Sequence, residues 1–182
     1  MTTARRRLLM SLVLAGLAGC ATPPAAPTRP LLRLPPAALG RNLALQQQLL
    51  VHAGGQSRRI EVLLEADDQS VRLVLVNLGQ TMARLDWDGR ELVQTSVPGW
   101  PRAVSGEHVL SDLQLALWPA EAIRAALPSD WTLELRDGQR ILRRGDQIAA
   151  TVDYPAPTHI DLVDRQQGYR IEIESRALGG IQ

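Results

Sequence analysis

Much of the chain alternates between apolar and polar residues, a pattern that predicts half-buried β-strands. In residues 58–65, Ile60, Val62 and Leu64 fall on one face of the strand, and charged side chains fall on the other. Residues 70–77 are apolar on both faces, which is typical of a strand covered on both sides. The second segment is therefore predicted to lie centrally in a sheet, under helices or against a ligand.

Turn signals divide this pattern into about ten strands. Asp-Gly pairs at residues 88–89 and 137–138 predict tight hairpins. The prolines in residues 155–157 predict a break, after which residues 158–163 and 169–175 form a final hairpin. Because short turns join neighbouring strands, the sheet is predicted to be antiparallel.

The middle of the chain carries the clearest helical pattern. Residues 107–118 have apolar side chains at the i, i+3 and i+7 spacing of one helical face. These side chains are Leu110, Leu113 and Leu117. Ser105 can cap the start of this helix and Pro119 ends it. A second short helix is predicted at residues 120–127.

Two helices inserted between two sets of about five strands can cover only one face of a sheet. A sheet of about ten strands also curls. The predicted fold is therefore mainly β, of the α+β class. It is a strongly curved antiparallel sheet, or incomplete barrel, of about ten strands with the two short helices as a lid.

The N-terminal segment, residues 1–19, has the three parts of a secretory signal. Three arginines precede an apolar run at residues 8–17, which is shorter than the roughly 20 residues of a membrane span. Small residues then lead directly to Cys20. The Leu-Ala-Gly-Cys sequence matches the lipobox of bacterial lipoproteins. This resemblance implies that Cys20 carries diacylglycerol and becomes the acylated first residue of the mature protein.

The signal divides the chain into three predicted parts. Residues 1–19 are the signal peptide, residues 20–40 form a lipidated Pro-rich tether, and residues 41–182 form a single domain. Ala21 follows the lipidated cysteine where an Asp would retain a lipoprotein in the inner membrane. The lipoprotein resemblance therefore implies the periplasmic face of the outer membrane.

Charge and cysteine content limit the kinds of partner and crosslink that the protein can have. The formal charge is +1, and removing the three arginines of the signal makes it −2. The sequence has no lysine and no basic block, which argues against nucleic acid as a partner. Cys20 is the only cysteine, so the domain has no internal disulfide. We expect a monomer that contacts the membrane through its acylated Cys20.

The sequence offers no set of residues arranged for catalysis or metal binding. His52, His108 and His159 show no ligand spacing, and no serine lies in a Gly-x-Ser-x-Gly motif. We therefore predict no enzyme activity, no catalytic residue, no metal and no cofactor. Asp112 and Gln114 lie on the first helix, where they either orient a ligand headgroup or face solvent.

The large apolar side chains of the predicted sheet and helices have two possible roles. They fill a solid core that lacks Phe, or they line a cavity for a hydrophobic ligand. The candidate cavity residues are Val71, Leu73, Leu75, Trp87, Trp100, Leu110, Leu113, Leu117, Trp118 and Ile123.

Several motifs resemble a family of Gram-negative lipoproteins associated with aryl-polyene biosynthesis clusters. They are LPPAALG at residues 34–40, LGQ at 78–80, WDG at 87–89 and DLQLALWP at 112–119. That family is similar to LolA and LolB, which carry lipoproteins in the periplasm and at the outer membrane. The resemblance implies an open β-barrel with a helical lid and an apolar cavity for acyl chains.

One departure from LolB is expected. LolB has a protruding loop with an exposed Leu, and the nearest candidate in this sequence is Val97-Pro98-Gly99-Trp100.

These features predict a lipoprotein that binds or transfers a lipid-like molecule, such as an aryl-polyene lipid or lipoprotein acyl chains. The alternative is a scaffold that docks an envelope enzyme or transporter and binds no lipid. A third hypothesis, an acyl hydrolase or transferase, depends on Ser111 acting as a nucleophile.

Overall fold

The computed structural model describes residues 28–98, 100 and 104–178. Their strands are β1 (Leu43–Ala53), β2 (Gln56–Ala66), β3 (Val71–Asn77), β4 (Gln80–Trp87), β5 (Leu92–Ser96), β6 (Trp131–Arg136), β7 (Gln139–Arg144), β8 (Gln147–Ala156), β9 (His159–Asp164) and β10 (Tyr169–Ala177). The α-helices are α1 (Gly106–Leu117) and α2 (Ala120–Ala126), and a short 3-10 helix (Pro36–Leu39) precedes β1. This element order confirms the predicted arrangement of five strands, two helices and five strands.

All ten strands form one antiparallel sheet in the order β5-β4-β3-β2-β1-β10-β9-β8-β7-β6. Each half of the chain is a five-stranded meander, and the long pairing of β1 with β10 joins the two halves. The outer strands β5 and β6 do not pair with each other, so the sheet remains an open half-barrel. The helices connect these two outer strands, and the predicted fold class is confirmed.

The two predicted Asp-Gly turns lie at hairpins of the structure. Asp137 and Gly138 have φ values of 41° and 79°, as a tight turn between right-twisted strands requires. In the turn after β4, the Asp88 carboxylate accepts the backbone N–H groups of Arg90 and Glu91, both at 2.7 Å.

The predicted break at residues 155–157 is wrong in position. Strand β8 continues through Pro155 to Ala156, and the turn follows it. The pairing of β8 with β9 shifts between Asp153 and Ala156. A proline is tolerated at such an irregularity because its missing N–H breaks no ladder hydrogen bond.

Helix α1 begins and ends as its sequence predicts, within one residue. The Ser105 hydroxyl accepts the backbone N–H of His108 at 3.3 Å and caps the first turn. A Cβ on Gly106 would lie 2.5 Å from Cδ2 of Leu85. The Gly106 N–H also donates to the Gln94 side chain at 2.8 Å. The small residue therefore lets the start of α1 sit directly on β4 and β5.

The core lies between the helices and the concave face of the sheet. Its fully buried side chains include Leu64, Leu85, Leu110, Trp118 and Ile123. Within the described ranges, neither helix is long and apolar enough to cross a membrane.

Candidate functional site: an apolar groove and its N-terminal strap

An apolar groove of about 810 Å³ lies between the concave face and α1. Strands β1, β2, β3, β9 and β10 form its floor, and α1 forms its roof. Its apolar lining includes Val62, Leu75, Ile160, Leu162, Ile171 and Ile173 from the sheet, and Val109, Leu113 and Leu117 from the helix. Small-molecule sites commonly measure about 300–1,000 Å³, so this space is large enough for a lipid chain.

The groove opens at one end of the sheet. We call this end the mouth and define it by the exposed lining residues that lie on the groove face, at or near the hairpin turns. These residues are Ala53, Gln56, Arg58, Asn77 and Gln167. The mouth is therefore mainly polar, whereas the interior of the groove is apolar.

The ten candidate cavity residues divide into two equal groups. Five line the groove, namely Leu73, Leu75, Trp100, Leu113 and Leu117. The other five are packed in the core and are at most 2% exposed, namely Val71, Trp87, Leu110, Trp118 and Ile123. Val71 and Trp87 are paired at the end of β3 and β4 away from the mouth, where the chain covers them.

That covering segment is the N-terminal strap, which we define as residues 28–36. Alternate residues of the strap, among them Leu32 and Leu34, are buried, and Arg33 between them is exposed. Leu39 is buried as well. The predicted tether at residues 20–40 therefore differs from the structure, since its second half packs on the domain. Cys20 lies outside the described residues.

The strap binds to polar side chains that α1 directs toward it. The Gln114 amide accepts the Leu34 N–H at 2.9 Å and donates to the Leu34 carbonyl at 2.8 Å. Trp87 Nε1 donates to the same carbonyl at 2.8 Å. The Ser111 hydroxyl accepts the Leu32 N–H at 3.0 Å. The helix therefore recognises the strap backbone almost as a neighbouring strand would.

Arg29 fixes the start of the strap through a buried cluster of polar side chains. Its guanidinium binds Asp164 at 2.7 Å and donates to the Ser111 hydroxyl at 3.1 Å. It also forms an ion pair with Asp112, whose other oxygen accepts the Tyr169 hydroxyl at 2.5 Å. Arg29 is only 4% exposed, so its charge depends on these partners.

Two carboxylates share this one guanidinium. Burial opposes the charge on Arg29, but Asp112, Tyr169 and Asp164 outweigh it and raise the Arg29 pKa. Burial raises the Asp112 pKa, although Arg29 and the Tyr169 hydroxyl oppose the rise. Asp164 also accepts the backbone N–H groups of Gln166 and Gln167 at 2.9 and 2.8 Å. The Asp164 carboxylate is therefore held by Arg29 and by two backbone N–H groups.

The cluster connects the strap to the groove, because Asp112 and Tyr169 also line the groove wall. Neither sequence interpretation of Asp112 and Gln114 was complete, since both side chains are buried and bind the strap. Arg29 gave no sequence signal, because its partners lie 82 to 140 positions away in the chain. In the sequence alone, an Arg in a Pro-rich segment cannot be distinguished from an ordinary arginine exposed to solvent.

Other polar candidates have local roles. The Ser111 hydroxyl is buried and already bound to Arg29 and Leu32, so it is not placed as a nucleophile. The His52 ring contacts Ser57 and Glu172. No group of three or more His, Cys, Asp or Glu side chains is arranged for a metal in the part of the chain that the structure describes.

One exposed leucine projects from a hairpin turn near the groove. Leu78 lies between β3 and β4, is 96% exposed and has a φ of 49°. It stands beside Asn77 at the mouth. Leu78 belongs to the LGQ motif at residues 78–80. The loop candidate at residues 97–100 includes Gly99, which lies outside the described residues.

The fold and site define a class of protein: an open half-barrel with a helical lid and a mouth at one end of an apolar groove. Residues 44–177 match the family described as "Protein of unknown function (DUF3261)". The chain belongs to this family. None of the curated proteins compared with it matches.

Removing the Arg29 charge is expected to destabilise the fold. Arg29→Met leaves buried carboxylates without their cation, so the free energy of unfolding should fall by about 3–5 kcal/mol. Arg33→Met is the matched control, because Arg33 forms an exposed ion pair with Glu107 and should cost less than about 1 kcal/mol. Urea unfolding at pH 7 measures both losses.

The pH dependence of the free energy of unfolding provides a second test of the Arg29→Met variant. Unpaired buried carboxylates bind protons more readily in the folded state, so the deficit of Arg29→Met should shrink as the pH falls from 7 toward 4. Equal losses for Arg29→Met and Arg33→Met, or a deficit independent of pH, would contradict this account of the cluster.

Two leucines of α1 test whether the groove is open space. Leu110 is 1% exposed in the core, so Leu110→Ala should cost about 2–5 kcal/mol. Leu113 is half-buried and borders the groove, so Leu113→Ala should cost about 1 kcal/mol. Thermal and urea unfolding compare the two variants, and equal losses would show that the groove is packed like a core.

Proposed function

We propose that this protein is a non-enzymatic lipoprotein that binds or transfers a lipid-like molecule during envelope assembly. The observation that carries the proposal is the apolar groove of about 810 Å³ under α1. An apolar groove of this size exposes hydrophobic surface to water, which is unfavourable, and a bound hydrophobic ligand would remove that surface from water.

The signal sequence supports an anchor at the periplasmic face of the outer membrane through acylated Cys20. Cys20 lies nine positions before Arg29. At about 3.3 Å per position, a fully extended chain would span at most roughly 30 Å between them. The buried cluster would therefore keep the domain close to the bilayer. Palmitate labelling and membrane fractionation of cells test this anchor, with Cys20→Ser as the variant that should lose both label and membrane association.

Similarity to LolA and LolB supports the choice of a lipid ligand. The curved open sheet, the helices over its concave face and the projecting Leu78 agree with the architecture of those carriers. Aryl-polyene lipid and lipoprotein acyl chains are the candidate ligands that this resemblance suggests. The buried hydroxyl of Ser111, bound by Arg29, supports carriage over hydrolysis.

The alternative function is a scaffold that docks an envelope enzyme or transporter. Its support is the pair of unpaired outer strands, where Val93 of β5 and Leu135 of β6 are each 50% exposed. An outer strand can accept a strand from a partner. In that case, filling the groove would leave the protein functional.

Cross-linking in cells separates the two functions. A photoactivatable fatty acid should label peptides of the groove floor, and Leu113→Trp should reduce labelling because the larger ring obstructs the groove beneath α1. Val93→Trp is the matched control, because it adds the same ring at an exposed strand position that does not line the groove.

Labelling equal in wild type and Leu113→Trp, with both proteins folded by circular dichroism, would contradict lipid binding in the groove. The scaffold would then be the better account.

A further inference from the structure

We propose that the ligand carries an anionic headgroup, a carboxylate or phosphate, and that this headgroup binds Arg58 at the mouth. This inference rests on the proposed lipid-binding function and names the class of lipid. The hydrocarbon chain then lies in the apolar interior, between α1 and the floor of the groove.

Arg58 is placed on the groove face of β2. Side chains of a strand alternate between faces, and Arg58 shares its face with Ile60 and Val62, both of which line the groove. It lies opposite Val51 of β1, another lining residue. The Arg58 charge therefore stands at the point where an apolar floor meets solvent.

Some charged side chains around the groove form ion pairs and others do not. The charged and titratable lining residues are Arg58, Arg59, His108, Asp112 and Tyr169. Asp112 already pairs with Arg29 and accepts the Tyr169 hydroxyl. Neither Arg58 nor Arg59 forms an ion pair with any carboxylate among residues 28–98, 100 and 104–178. Arg59 lies on the opposite face of β2 from Arg58. The uncompensated charge that faces the groove, among the described residues, is therefore the cation of Arg58.

The remaining polar groups of the mouth suit the same headgroup. Gln56, Asn77 and Gln167 provide side-chain amides that can donate to carboxylate or phosphate oxygens. A guanidinium binds such oxygens through two parallel hydrogen bonds, and a cationic headgroup would be repelled. An anionic amphiphile therefore matches both the apolar interior and the cationic mouth.

Equilibrium binding with matched probes tests this inference. Full-length protein in amphipol is incubated with radiolabelled palmitate, with the uncharged 1-hexadecanol of equal chain length, and with the anionic phospholipid phosphatidylglycerol. Arg58→Glu removes the cation, and Arg84→Glu is the control, because Arg84 is exposed on β4 and does not line the groove.

We expect Arg58→Glu to weaken palmitate binding by about five- to tenfold, an effect that salt should reduce. Hexadecanol binding and the Arg84→Glu control should be unchanged. Loss of phosphatidylglycerol binding in the same variant would identify a phospholipid headgroup, and loss of palmitate binding alone would identify a free fatty-acid carboxylate.

Equal binding of palmitate and hexadecanol, unaffected by Arg58→Glu, would overturn the headgroup inference and leave lipid binding intact. Absence of binding for all three probes would overturn the proposed function itself.

Discussion

The buried guanidinium of Arg29 holds together three parts of the chain that are distant in sequence. It joins the strap to Asp112 on α1 and to Asp164 at the end of β9, 135 positions away. A buried cation is unfavourable unless it is paired, so the ion pairs and the position of the strap depend on each other. Since Asp112 also lines the groove, the same contacts fix the roof above the floor.

The groove exists because the helices cover only part of the apolar concave face of the sheet. The sheet does not close, and α1 crosses only part of its concave face. At the end away from the mouth, the strap and Trp118 fill the space, and Trp87 donates its indole N–H to the strap. Nearer the mouth the strap contributes Arg29, which binds Asp164 and Asp112 of the groove wall and leaves the space between α1 and the floor open. One end of the half-barrel is therefore a solid core, and the other holds a cavity.

The sequence predicts the elements well because their signals are local. The Ser105 cap, the leucine spacing of α1 and the Asp-Gly turns each act within a few residues. The sequence could not predict which apolar residues lie in the core and which line the groove. Leu110 and Leu113 are the same residue type on the same helix, and only the structure shows that Leu110 packs in the core whereas Leu113 borders the groove. The strap was missed because a Pro-rich segment resembles a linker, and its hydrogen bonds come from a distant helix.

Native mass spectrometry of the full-length protein, expressed with its signal and purified in mild detergent, tests the central claim most directly. The groove is predicted to hold a hydrophobic ligand, so untreated protein should carry a mass beyond the acylation of Cys20. Extraction with organic solvent should remove that mass, and a smaller fraction of Leu113→Trp should carry it. A protein that shows no added mass, even after incubation with a total lipid extract of a Gram-negative envelope, would contradict the account.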